Sequence, residues 1–143
     1  MRIPPSRLLP ALAIALVLVA TDVRAGSDVV APDWPTVAEA QTVEVVTVDE
    51  DGDRRETTVW LVVVDGEGYI RTGGTRWGKN LQRDPQLVLR TGEQEWPLRI
   101  AAVEDETQRE IITAAFREKY GFSDAMIGLV RGSNPTIMRL LPR

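Results

Sequence analysis

Neither histidine nor cysteine occurs anywhere in the 143 residues. Without cysteine, disulfides and thiol chemistry are excluded. Without histidine, Ser-His-Asp and Cys-His triads cannot form, nor can zinc or haem sites ligated by histidine. Any catalysis must come from carboxylates, Lys, Arg, Tyr, Ser or Thr, or from a cofactor that brings its own chemistry. Positive charge is also short: 17 Lys and Arg stand against 21 Asp and Glu, a net charge of −4. Binding nucleic acid requires a basic face to neutralise phosphates, so nucleic acid is not an expected partner.

The N-terminus has the three-part layout of a secretory signal. Arg2 and Arg7 precede an apolar run over 8–20, and Val23 and Ala25 place small residues where a signal peptidase reads. Cleavage is expected after Ala25, giving a secreted or periplasmic protein. The 13 apolar residues would make a helix of roughly 20 Å, short of the ~30 Å bilayer core, so no stable anchor is expected after cleavage. No cysteine follows the run, which excludes a lipoprotein, and no Arg-Arg pair precedes it, which favours the general export route. The remaining 118 residues hold 14 basic and 20 acidic side chains, a net charge near −6, and suit one domain.

Residues 26–42, with Pro32 and Pro35, read as an extended arm anchored by Trp34. Residues 43–143 read as a mainly β domain, a β-barrel with α. Strands are expected at 43–48, 56–64, 69–72, 86–91, 96–104 and 136–142, with Asp/Gly turns at 49–55 and 65–68 as hairpin signals. The run 59–64 is apolar on both faces, as a strand buried on both sides would be. Pro97 suggests an edge or a strand start. One longer helix is expected over 105–120, with Ile111, Ile112, Ala115, Phe116 and Tyr120 on its buried stripe. Asp105 is placed to cap it with Gln108, and Gly121 to end it. A loop with Gly128, Gly132 and Pro135 follows.

Four groups of residues invite chemistry. The run "DEDGDRR" (49–55) alternates Asp49, Asp51 and Asp53, but calcium-loop spacing would need Gly and Glu where Arg54 and Trp60 stand, so it reads as a hairpin turn. Lys119-Tyr120 is either a proton-transfer pair or a helix-end cation beside a packed ring. Of Trp34, Trp60, Trp77 and Trp96, Trp60 reads as core. Trp77, among glycines and basic residues, reads as a ligand or subunit contact, or as plain packing. The stretch "RTGGTRWGKNLQRDP" (71–85) is the strongest candidate. Its glycines let backbone N–H groups converge on an anion, Thr72 and Thr75 add hydroxyl donors, and Arg76 and Lys79 add charge. A solvated basic loop remains the other reading.

The run from Val59 to Leu89 resembles the pyridoxamine-phosphate-oxidase-like split β-barrels that bind flavin. With a loop one residue shorter, Thr72, Thr75, Arg76, Leu81 and Pro85 fall on that family's pattern of strand-end Thr or Ser, phosphate loop, short helix and Pro. Trp77-x-x-Asn80-Leu81-x-x-x-Pro85 is similar to the deazaflavin-dependent nitroreductase branch. The segments "AAFREKYG" (114–121) and "TIMRLLPR" (136–143) also resemble small proteins of this superfamily. The resemblance implies a six-stranded FMN-binding split barrel with one longer C-terminal helix, forming a homodimer with flavin at the interface. It places Thr72, Thr75, Arg76, Trp77, Lys79 and Asn80 at the cofactor, with Trp77 near the ring or the partner subunit in place of the family's loop lysine. The deazaflavin branch carries a basic loop where this chain has the acidic turn, so FMN is expected before deazaflavin (F420). The implied activity is a flavin-dependent oxidoreductase of unspecified substrate. The alternatives are a cofactor-free binding or assembly module of the periplasm, and a deazaflavin-dependent reductase.

Overall fold

The computed structural model describes residues 30–121, 123 and 134–143. The expected export segment and the loop of Gly128 and Gly132 lie outside the described residues. Valine-rich β1 (Val43–Val48) runs into β2 (Arg54–Val59) through the acidic turn. There the Asp49 N–H donates to the Asp53 carbonyl at 2.8 Å, and Gly52 takes a φ of 92°. In the next hairpin, β3 (Leu61–Val64) and β4 (Glu67–Thr72) are joined by Asp65-Gly66, with φ of 50° and 75°. Positive φ at both central residues is the type I′ geometry that Asp-Gly favours. After α2 (Arg76–Arg83), β5 (Gln86–Thr91) and β6 (Gln94–Ala102) form a third hairpin. α3 (Glu106–Tyr120) and β7 (Thr136–Pro142) complete the domain.

The strands form one antiparallel sheet in the order β2-β1-β5-β6-β7-β4-β3. Its two edges, β2 and β3, are consecutive in the chain with Trp60 alone between them. The edges therefore meet at Trp60, and the sheet curls into a half-barrel. The run expected as one strand over 56–64 is two strands bent at this residue. Counted once, the bent segment makes the seven strands the six that were expected.

Period-two alternation divides the side chains between two cores. Val45, Leu61, Ile70, Leu89, Leu98, Met138 and Leu140 fill the barrel. Val62, Tyr69 and Ile137 point outward and are covered by Ile112 and Phe116 of α3. Residues 59–64 are apolar on both faces because β3 serves both cores. Pro97 lies within β6, but the β7 ladder begins only at Leu98, so one side of the strand is locally an edge. A missing N–H is harmless there.

The helix ends follow the expected chemistry. Asp105 Oδ1 accepts from the Gln108 N–H at 2.8 Å, and Gly121 closes α3 with a φ of 56°. Two expectations are corrected. Ile111 is 52% exposed, because the face of α3 toward the sheet is the narrower Ile112–Phe116–Tyr120 row. The arm expected over 26–42 contains a short helix, α1 (Trp34–Glu39), with Pro35 in its first turn, where a missing N–H costs nothing. Val37 of α1 enters the barrel core, and the Trp34 ring lies across Gly68. Burial of these two side chains outweighs the extended preference of the proline-rich sequence.

Candidate functional site

β4 delivers Thr72, buried, to the barrel rim, where Gly73-Gly74 reverse the chain and Gly74 takes a φ of 60°. Thr75 then caps α2, its Oγ1 accepting from the Gly78 N–H at 3.2 Å. The two threonine hydroxyls hydrogen-bond each other. That bond uses one of their two hydroxyl hydrogens and leaves the other for a further acceptor.

Gly78 allows this close approach. A Cβ there would stand 2.7 Å from Thr72 Cγ2 and 2.9 Å from Thr72 Oγ1. Gly78→Ala adds about 1 kcal/mol of helix propensity but overpacks the threonine pair, which costs about 1–3 kcal/mol. Chemical denaturation is expected to show a less stable variant. A higher midpoint would mean that Thr72 simply turns aside.

The helix sorts the remaining candidates by face. Arg76 and Lys79 are exposed, with the Arg76 side chain 64% accessible. Trp77, expected near a ring or a partner subunit, is instead only 7% exposed and packs in the barrel core with Leu81. The spacing i, i+4 puts both on the sheet-facing side of α2. Asn80 is also buried and committed: its Nδ2 donates to Thr47 Oγ1 at 3.0 Å and to Asp49 Oδ1 at 2.7 Å. The structure thus brings Thr72, Thr75, Arg76 and Lys79 to one rim and withdraws Trp77 and Asn80 from it.

Asp49, which in the sequence looks like one carboxylate of a hairpin turn, is part of this site. Val43, Val45, Thr47 and Asp49 share the inward face of β1 and its extension, and Asp49 is 6% exposed. Arg55 grips the carboxylate from Nε at 2.8 and 3.1 Å and from Nη2 at 2.8 Å. Arg76 Nη2 pairs with Asp49 Oδ2 at 3.0 Å. The hydrogen bonds from Arg55, then from Asn80, hold the Asp49 carboxyl well below the usual carboxylate range against the opposing effect of burial. The inward parity of alternate residues along 43–49 was the signal that could have found it.

Lys119 and Tyr120 form a clasp rather than a proton-transfer pair. All three Lys119 ammonium hydrogens have carbonyl acceptors, on Ala38 at 3.0 Å, Ala40 at 2.8 Å and Leu61 at 2.9 Å. Burial lowers the Lys119 pKa. The Tyr120 hydroxyl accepts from the Leu61 N–H at 3.1 Å and lies 3.0 Å from the Gln41 carbonyl. Its ring stacks on Trp60 at 4.2 Å. The pair joins the end of α1 and the end of α3 to the bend that closes the barrel. Among the described residues, no group of three or more Asp or Glu side chains is placed to hold a metal ion.

Residues 33–140 match the family described as "Uncharacterized protein conserved in bacteria (DUF2255)". The chain belongs to DUF2255. A search of curated proteins finds no match for this DUF2255 chain. Among solved structures, the conserved hypothetical protein Rv2991 from Mycobacterium tuberculosis is 20% identical with a TM-score of 0.62, covering 82% of this chain and 84% of that one. HutZ, the heme storage protein from Vibrio cholerae, is 19% identical at a TM-score of 0.58, covering 73% of this chain and 83% of its own. An F420-H2 dependent reductase is 16% identical at 0.54, covering 71% and 93%. These likenesses show the fold: the DUF2255 chain is a split β-barrel with α, built like these neighbours.

Proposed function

We propose that this protein is an exported split-barrel oxidoreductase that holds a phosphorylated flavin-type cofactor at the Thr72–Lys79 rim. The paired Thr72 and Thr75 hydroxyls beneath the first turn of α2, flanked by exposed Arg76 and Lys79, carry this reading. Their donors suit a phosphate: a spare hydroxyl hydrogen, a guanidinium fork and an ammonium, beside a glycine turn that lets a ligand approach the backbone. A bound flavin would supply the hydride chemistry. The chain's own residues would hold the phosphate, and buried Trp77 and Asn80 would brace the loop from behind.

FMN fits better than a deazaflavin with a polyanionic tail. Asp49 sits against Arg76, and the acidic turn continues through Glu50, Asp51 and Asp53. A second negative tail would meet like charge there. The same ion pair favours a second reading, a cofactor-free binding module, because Arg76 already has an anionic partner. A homodimer is proposed as well. Among the described helices only α3 packs in the outer core, on β3, β4 and β7, which leaves the outer faces of β1, β2 and β5 to a partner.

The visible spectrum of protein purified from its native compartment tests the flavin reading. A yellow protein, or a colourless one that takes up added FMN, is expected. A colourless protein that refuses added FMN would leave the binding-module reading standing. Arg76→Ala is expected to weaken FMN uptake by about 1.5 kcal/mol, the low end for a hydrogen bond to a charged group, because Arg76 is exposed. Fluorescence titration checks this, and unchanged affinity would remove Arg76 from the site. N-terminal sequencing of the exported protein, with Gly26 as the expected first residue, tests cleavage after Ala25.

A further inference from the structure

A buried carboxylate is costly unless it is paired and hydrogen-bonded. Asp49 meets that requirement without Arg76. Arg55 engages both of its oxygens, and Asn80 adds a bond at 2.7 Å from inside the barrel. The side chain of Arg55 is 32% exposed and that of Arg76 is 64% exposed, so the second arginine contributes a single, largely solvated contact. Arg76 could leave Asp49 and the carboxylate would keep its buried partners. Arg76 also stands directly after Thr75, at the start of α2.

We propose that Asp49 is a positioning residue that holds Arg76 in reserve over the rim, and that a ligand phosphate binds by drawing Arg76 away from it. This rests on the phosphate reading of the loop. Asp49 and the ligand then compete for one guanidinium. Arg55 and Asn80 set the balance, because the better they satisfy Asp49, the more freely Arg76 is released. Two substitutions should act in opposite directions. Asp49→Asn removes the competing charge and should tighten FMN binding. Arg55→Gln leaves Asp49 charged and dependent on Arg76, and should weaken it.

The test is titration of FMN and of riboflavin, which lacks the phosphate, against the parent chain, Asp49→Asn and Arg55→Gln, with thermal midpoints for each and for Arg76→Gln. An exposed ion pair corresponds to a roughly two- to fivefold change. FMN affinity should rise by about that factor in Asp49→Asn and fall by at least as much in Arg55→Gln. Riboflavin affinity should not move in either. Arg76→Gln should shift the thermal midpoint by no more than about 2 °C, and Arg55→Gln by more. If the parent prefers FMN but Asp49→Asn binds it no better, Asp49 is structural only and the inference falls while the phosphate reading stands. If the parent does not distinguish FMN from riboflavin, both fall. If Asp49→Asn does not fold, the stability comparison decides: an Arg76→Gln loss as large as that of Arg55→Gln makes Arg76 a fixed structural partner and overturns the proposal.

Discussion

Replacing Phe116 with alanine is expected to lower the unfolding free energy by about 3–5 kcal/mol, the range for truncating a fully buried aromatic side chain. Phe116 is 0% exposed and, with Ile112, is one of two fully covered side chains by which α3 holds the outer faces of Val62, Tyr69 and Ile137. The Arg71 guanidinium lies 4.1 Å from its ring centroid, so truncation also strips a cation of its aromatic face. Domains of this size have about 5–15 kcal/mol in hand, and the loss would be a large fraction of it. Phe116→Leu, which keeps most of the volume, should cost less than half as much. Urea denaturation checks both. A loss under about 1 kcal/mol for the alanine variant would mean that α3 is not held by this contact.

Gly68→Ala is expected to cost about 2–4 kcal/mol, although it adds one methyl group to a strand that would ordinarily prefer alanine. The new Cβ would stand 2.2 Å from Trp34 Cζ3 and 2.4 Å from Cη2, so the indole must leave the face of β4. Its departure loosens α1, whose Val37 is part of the barrel core. A double-mutant cycle isolates the cause. Trp34→Ala alone should be nearly as damaging, and Gly68→Ala should add little on that background. Full additivity would show that the clash is relieved elsewhere. Gly68 and Thr72 lie on the same inward row of β4, about 13 Å apart at the rise of a strand. FMN uptake by the folded fraction should therefore survive this change, in contrast to Arg76→Ala.

Much of the fold was legible because its signals are local. Asp65-Gly66 can hold positive φ at both turn positions, and Asp105 with Gln108 caps α3 through atoms three residues apart. The bend at Trp60 was not legible. Residues 56–64 read as one unbroken strand, and the break follows from β2 pairing with β1 while β3 pairs with β4 on the opposite edge. Trp77 stayed open between a contact and plain packing for a related reason. Its glycine and basic neighbours suggest a surface loop, but helix geometry turns Trp77 and Leu81 together into the barrel. Lys119 was read either as a proton-transfer partner of Tyr120 or as a cation at the end of its own helix, whereas it donates to the carbonyl end of α1.

By itself the sequence settled which chemistry is absent, where the chain turns and where α3 is capped, and it offered the donors of the Thr72–Lys79 rim. These are properties of residue types and of backbone geometry over a few positions. Only the tertiary structure decided that Asp49 faces Arg76, that Asn80 is locked between Thr47 and Asp49, and that Trp77 belongs to the core. Asp49 and Arg76 are separated by 27 positions in the chain, and no local preference couples them. They meet because the sheet curls until the β1–β2 turn lies against α2, and the electrostatics of the rim follow from that closure.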